Sequence, residues 1–409
     1  MASPALRFIH ASDFHLERPM RGLSEIPSGL AELIADAPQR AVERVFDAAI
    51  SEHVDFVLLA GDILQPTAAG PRSLVLLVEQ LERLHARGIP VYWTTGRVDA
   101  ATRWTDILHL PPNVHLATGR RVEHWKFERD GRLPAEILAG TADEQHLVQP
   151  TNFRPTAGSM AIALAHGRLA TPAVAAQGVH YWALGGRHRR RVERSEAPVV
   201  HYPGTPQGRS PSEAGPHGCT LVQVDDAHML RTRFLPTDSL RWHTETIRLD
   251  AHMGRADLER QIDHRSQVLL ATAGEPQWLV RWRVHAPPAL AVRLRRDPAV
   301  AQLVSHLRGK FGHRQGGIYS LAIDVEPPAR LPEQWWQEET IRGEFLRAMH
   351  SRLADGRGAE DWRHLLPSRP LPDGLAAALA LDDVATRERV LAQATLLGVD
   401  LLSGEEPQA

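Results

Sequence analysis

Five short stretches hold the residues whose types and spacing could do chemistry: Asp13-Phe14-His15, Gly61-Asp62, Gly96-Arg97-Val98-Asp99, His166-Gly167 and Gly185-Gly186-Arg187-His188. Aspartate offers a hard oxygen and histidine an imidazole nitrogen, the mixed donor set that suits a first-row divalent cation. In extended chain, residues two apart project to the same side, so Asp13 and His15 are expected to face one ion together. Gly61 lets the backbone turn sharply so that Asp62 points into a crevice. Asp-x-His pairs also occur at Asp226–His228 and Asp250–His252. Those lack companion motifs and read as surface residues.

Each of the five stretches follows an apolar run, and this placement raises the set above chance. Ala5–Ser12, Asp55–Ala60, Pro90–Thr95, Met160–Ala165 and Tyr181–Leu184 read as strands, with helices over Pro38–His53 and Pro71–Arg87. That β-α-β-α-β order predicts a parallel sheet with helices on its faces. In open α/β sheets, ligands gather at the carboxyl ends of the strands, where all five stretches fall. Further strands are expected at Pro198–Tyr202 and Cys219–Asp225, with a hairpin around Val122–Ala142.

The series Asp-x-His, Gly-Asp, Gly-x-x-Asp, His and Gly-x-His, taken in that order, resembles the calcineurin-like metallophosphoesterases. The opening FIHASDFHL, the phrase VLLAGDIL and the run from Tyr202-Pro203-Gly204 through Gln207-Gly208-Arg209 to Gly218-Cys219-Thr220 narrow the likeness toward SbcD-type DNA repair exonucleases and the related YhaO-type proteins. The resemblance covers residues 5–235. It implies an α/β fold: a metallophosphoesterase β-sandwich flanked by helices, then a small α+β capping domain and a C-terminal helical segment. It also implies a first metal held by Asp13, His15, Asp62 and His188. A second metal would share Asp62 and take His166, but the family's asparagine and histidine ligands are here Arg97 and Gly186. The position of the family's proton donor is Val98. One cation, manganese or another divalent ion, is therefore expected rather than two.

Arg97 and Arg187 carry permanent charge on a planar donor fork suited to phosphate or carboxylate. Arg97 is expected to stand in for the second metal by pairing with Asp62; clamping a substrate phosphate is the alternative for both. Arg189, Arg190, Arg191 and Arg194 form a basic run beside His188 that reads either as a solvated face or as phosphodiester contact. His10, His180 and His201 lie within strands and read as structural.

Composition bounds the rest. The 409 residues carry a net charge near −2 with 43% hydrophobic and 23% charged residues, which excludes a disordered chain and one that coats nucleic acid by bulk charge. Of 47 basic residues only Lys126 and Lys310 are lysine, a bias that genome composition would explain. Cys219 is the single cysteine, so an intramolecular disulfide and a zinc–cysteine cluster are excluded. The absence of a basic start with a long apolar run, and of any membrane-spanning stretch, leads to the expectation of a cytoplasmic protein with no membrane partner.

The length fits two or three domains, read as 1–235 for the metallophosphoesterase, 236–329 for the cap and 330–409 for the helices. The cap is expected to hold strands at Trp242–Asp250, Gln277–His285 and Ile318–Val325 and helices at Arg255–Gln261 and Pro298–Arg308. Helical patterns at Pro332–Leu353 and Leu375–Leu397, broken at Pro367–Pro372, are expected to dock an SbcC-like coiled-coil ATPase. The alternative is a helical cap packing on its own chain; Trp335 and Trp336 read as core anchors rather than base-stacking platforms. Three functions compete: a DNA-end phosphodiesterase weakened by its missing second-metal ligands, an inactive homologue that binds DNA ends or an ATPase partner, and a phosphatase of a small nucleotide. The family also allows a homodimer.

Overall fold

The computed structural model describes residues 6–23, 25, 28–99, 108–117, 121–156, 158–170, 178–272, 276–312, 316–326, 331–354 and 384–402. Its contacts divide the chain into two units. The first takes Met1–Thr244, Gln267–Arg281 and Arg308–Leu321, and the second takes Glu245–Ser266, Trp282–Leu307 and Ala322–Ala409.

Two six-stranded mixed sheets make the body of the first unit. One contains β1 (Leu6–Ala11), β2 (Phe56–Ala60), β3 (Val91–Thr94) and β4 (Val114–Ala117), paired in parallel in that order. The other contains β5 (Glu123–Arg129), β6 (Arg132–Thr141), β8 (Met160–His166), β10 (Tyr181–Gly185), β11 (Arg191–Arg194) and β12 (Val199–Tyr202), in the order β11-β12-β10-β8-β6-β5. Between them in sequence, β7 (Leu147–Val148) and β9 (Arg168–Leu169) form a two-stranded ladder. The first sheet is closed on its β1 side by β13 (Gly218–Val224) and β14 (Leu230–Pro236), both antiparallel. The expected parallel core is present, but antiparallel strands flank it in both sheets; β4, β11 and β14 lacked a sequence signal strong enough to be read as strands.

The β-sandwich follows from side-chain parity. In the first sheet Phe8, Phe56 and Leu58 face Ile137, Ile162, Tyr181 and Ala183 of the second and form the inter-sheet core. The alternate residues Ile9, Ala11, Val57, Leu59 and Trp93 point the other way, onto α1 (Ala31–Ser51) and α2 (Pro71–His85). Burial on both faces is why these strands read as unbroken apolar runs. Helix α1 starts seven residues before the expected Pro38, which sits inside it and is buried. Pro38 lacks an N–H, so one helical rung is lost, and the buried face of the helix carries the cost.

Next come β15 (Leu240–Arg248), β16 (Gln277–His285) and β17 (Ile318–Val325), forming a three-stranded sheet in that order, with α3 (Arg255–Thr272), α4 (Pro288–Arg296) and α5 (Pro298–Phe311). Helix α4 had no counterpart in the sequence reading. In the second unit α6 (Glu333–Gln337), α7 (Ile341–Ala354) and α8 (Val384–Leu402) follow, and Val292, Leu346 and Val399 bury together with Trp335 and Trp336 packed against them. The two tryptophans are thus anchors of a small helical core. The break at Pro367–Pro372 and the start of the Leu375–Leu397 pattern lie outside the described residues. Among the described residues, no helix is long and apolar enough to cross a membrane.

Candidate metal centre

The loops leaving β1, β2 and β3 meet the ends of β8 and β10 at one rim of the sandwich. Beyond their strands the first two loops stay paired: the Asp13 and His15 amides donate to the Gly61 and Asp62 carbonyls, both at 3.0 Å. These residues are not extended, as the Asp-x-His argument supposed. Asp13, His15 and Asp62 have φ of 55°, 44° and 53°, a left-handed conformation that costs such residues about 1–3 kcal/mol each. Gly61, at φ 77°, is required, since a Cβ there would stand 2.7 Å from the Gly96 nitrogen and 2.9 Å from the His166 Cβ.

The two sheets also touch at this rim. A Cβ on Gly185 would lie 1.8 Å from the Ala60 carbonyl oxygen, so glycine alone permits the approach that brings His166 and Gly186 of one sheet to Asp13 and Asp62 of the other.

The donor atoms form two groups, Asp13–His15–His188 and Asp13–Asp62–His166, with Asp13 common to both. Asp62 Oδ2 lies 3.6 Å from His15 Nε2 and 3.4 Å from His166 Nε2, so it borders both groups. All five sequence-derived candidates Asp13, His15, Asp62, His166 and His188 therefore lie at one place. Asp13 and Asp62 are almost fully buried, and an isolated buried carboxylate is costly. Burial opposes their ionisation, but His166 outweighs it and holds both below the usual carboxylate range. In return, against burial, Asp13 and Asp62 lift His166 to about 10. An imidazolium thus balances two carboxylates where a cation would do the same.

Arg97 does not pair with Asp62. Its backbone amide donates to Asp62 Oδ1 at 2.6 Å and that of Val98 at 2.9 Å, while the Arg97 side chain is exposed. The Gly186 amide likewise donates to Asp13 Oδ2 at 3.0 Å. Arg187 is turned to Glu193 at 3.2 Å and over the Tyr202 ring, and Arg189 donates to the Ser212 carbonyl. Asp226 and His228 stand at a pocket of about 540 Å³ lined from the opposite, amino-terminal ends of β1 and β8 by Leu6 and Met160.

Two carboxylates of the site, Glu17 and Glu213, lie outside the five stretches. His15 Nδ1 lies 3.2 Å from Glu17 Oε1, and His188 Nδ1 lies 2.5 Å from Glu213 Oε1. A carboxylate on Nδ1 fixes the tautomer and turns the Nε2 lone pair inward. Glu213 also raises the basicity of His188. Asp99 accepts from the amides of Asp62, Ile63 and Gly96 and from the Trp93 indole, which locks the two loops to each other. Glu17, two residues past His15, could have been found by spacing, and Asp99 ends one of the five stretches, whereas Glu213 has no such mark.

These residues fit a divalent cation. His15 Nε2 and His188 Nε2 face each other at 3.2 Å, and with Nδ1 of each ring turned to a carboxylate both Nε2 atoms are placed to ligate one ion. Ligands about 2.1 Å from one ion lie about 3.0–3.4 Å apart, so the spacing is that of two neighbouring ligands.

Parts of the chain are similar to known proteins. The sequence pattern of the calcineurin-like phosphoesterase family matches residues 6–149. An uncharacterized metallophosphoesterase, YhaO, of Bacillus subtilis is 35% identical over 235 residues, covering 54% of this chain and 57% of that protein. The DNA double-strand break repair protein Mre11 of Methanopyrus kandleri is 21% identical over 303 residues, covering 66% of this chain and 64% of that protein. The chain thus spans less than two thirds of the length of either curated relative. The crystal structure of a dimetal phosphatase from Danio rerio aligns with a TM-score of 0.30 at 11% identity, over 55% of this chain and 94% of that one. The family pattern covers the part of the chain that carries the Asp13, His15 and Asp62 loops.

Proposed function

We propose that the protein is a metal-dependent phosphodiesterase acting on DNA ends, of the SbcD type, with one well-furnished cation position. The observation that carries this reading is the His15–His188 pair beside Asp13, each ring oriented by its own carboxylate. A divalent cation, manganese in the first instance, supplies Lewis-acid polarisation of a phosphoryl oxygen when bound. The chain's part is to hold that charge at the rim, to keep Asp13 and Asp62 ionised, and to seat the phosphodiester against His166 and the exposed Arg97. DNA as substrate is supported by the name of the Mre11 relative, and metallophosphoesterase chemistry by that of the YhaO relative.

A second reading, a DNA-end or partner-binding subunit with little or no catalysis, has its own support. At the Gly96–Asp99 and Gly185–His188 stretches, Asp62 and Asp13 receive backbone amides from Arg97, Val98 and Gly186 rather than ligand side chains, and Val98 offers no proton to a leaving group. Purified protein with manganese on single- and double-stranded DNA ends, beside Asp62→Ala, separates the two. Cleavage that disappears in Asp62→Ala supports the phosphodiesterase; end binding without cleavage supports the second reading.

For residues 330–409 the proposal is a docking surface for an SbcC-like coiled-coil ATPase, supported by Ile341 and Leu401, apolar yet 73% and 74% exposed. Undiminished co-purification after removal of those residues would count against it. Self-association through the catalytic region and a cytoplasmic setting belong to the same reading.

A further inference from the structure

The run from Tyr202 to Arg209 carried part of the family likeness but no chemistry. In the structure its continuation forms a buried loop outside the histidine pair, with Thr205, Gln207, Arg209 and His217 all buried. A buried guanidinium is tolerated only where its N–H groups are satisfied. Arg209 meets that condition with two bonds to the chain around His15 and one to Thr205. One terminal nitrogen donates to the Phe14 carbonyl and Nε to the Arg18 carbonyl at 3.3 Å, while the other terminal nitrogen donates to Thr205 Oγ1 at 3.2 Å. Its carbonyl accepts from the Arg21 amide at 2.8 Å. Its own amide donates to Glu213 Oε2 at 2.7 Å, and Glu213 Oε1 is the partner of His188 Nδ1. One residue therefore grips the main chain on both sides of His15 and, through one carboxylate, the ring of His188.

We infer that Arg209 and Glu213 are positioning residues that set the separation and facing of the His15 and His188 Nε2 atoms, and with them the affinity and geometry of divalent-cation binding. This rests on the metal-centre reading above. The reason is local. His188 is about one third exposed, and without Glu213 its ring is free to turn and to carry its proton on Nε2, which cannot then donate a lone pair. Without the Arg209 fork, the 14–18 segment keeps its bonds to the 61–63 loop but loses its tie to the segment carrying Glu213. A lysine there has a single ammonium, which cannot reproduce a planar fork spanning three acceptors.

A role confined to packing would lower thermal stability and leave cation binding by the folded protein unchanged. The test uses the full chain as wild type, Arg209→Lys and Glu213→Gln. Mn²⁺ affinity is measured by calorimetry and the Co²⁺ d–d absorption spectrum is recorded, with far-UV circular dichroism of each cation-free protein as the folding check. The expected result is native-like dichroism with affinity lowered about 10–100-fold and an altered Co²⁺ spectrum in both variants. Wild-type affinity and an unchanged spectrum in both would overturn the inference, whatever happens to the melting temperature. A wild type that binds neither ion would instead overturn the metal-centre reading and this inference with it. Should Arg209→Lys fail to fold, Glu213→Gln decides alone.

Discussion

His15 and His188, 173 residues apart in the chain, stand with their Nε2 atoms 3.2 Å from each other, one ring backed by Glu17 and the other by Glu213. Two ring nitrogens at that distance share either a proton or a cation.

Arg97 tests which part of a residue the site uses. Its amide donates to Asp62 while its side chain is exposed. Arg97→Ala is expected to leave Mn²⁺ affinity unchanged, measured by calorimetry. Arg97→Pro, which removes the N–H, is expected to lower it by about tenfold or more. A large loss in the alanine variant would restore the guanidinium as a charge acting on the centre.

Gly185 tests the closeness of the two sheets. With a Cβ predicted to lie 1.8 Å from the Ala60 oxygen, Gly185→Ala must push the rim apart. A loss of about 3 kcal/mol or more in urea unfolding is expected, together with loss of Mn²⁺ binding. Native stability in this variant would show that the rim yields easily.

Asp99 tests the lock between the β2 and β3 loops. Its carboxylate takes three amides and one indole N–H, although burial pushes its pKa up to about 6. Asp99→Ala leaves those donors without an acceptor and is expected to cost roughly 2–4 kcal/mol in urea unfolding. Asp99→Asn, which keeps one acceptor oxygen, should cost clearly less; equal costs would mean that the charge, not the acceptor geometry, holds the loops.

A pH dependence arises inside the sandwich. His10 bonds to the Tyr181 hydroxyl at 3.0 Å and His201 to Thr220 Oγ1 at 2.8 Å, their rings 5.7 Å apart and fully buried. Burial, then the nearby Arg190 charge, pushes His201 down to about 3, and burial with His201 as neighbour lowers His10. The unfolded chain takes up these protons near pH 6.5, whereas the folded chain does not until far lower. The stability these two groups contribute is therefore full above about pH 6.5 and falls as the pH drops toward 3, by up to about 1.4 kcal/mol per pH unit for each group. Urea midpoints between pH 4 and 7 are expected to vary less in His201→Gln than in the wild type; an identical slope would remove His201 from the account.

The ligand candidates were legible because they obey a local rule: Asp13, His15, Asp62, His166 and His188 each follow an apolar strand. Arg97 shows the limit of that rule. Its residue type suggested a charge acting on Asp62, but the working group is a backbone amide, which every residue except proline carries. Glu213 and Arg209 show a different limit. Nothing near either marks it as a partner of His188 or of the chain around His15, because both contacts join segments that are distant in sequence.

The central strands β1, β2, β3, β8 and β10, their apolar runs and the residue types at their carboxyl ends were set by the chain itself, since hydrophobic period and turn chemistry are local properties. The distance between the sheets, the left-handed backbone at Asp13, His15 and Asp62, and the bracing of two imidazoles by Glu17, Glu213 and Arg209 were decided only by tertiary structure. Those features depend on which atoms from remote segments come within a few ångströms, and that information arises only when the segments pack.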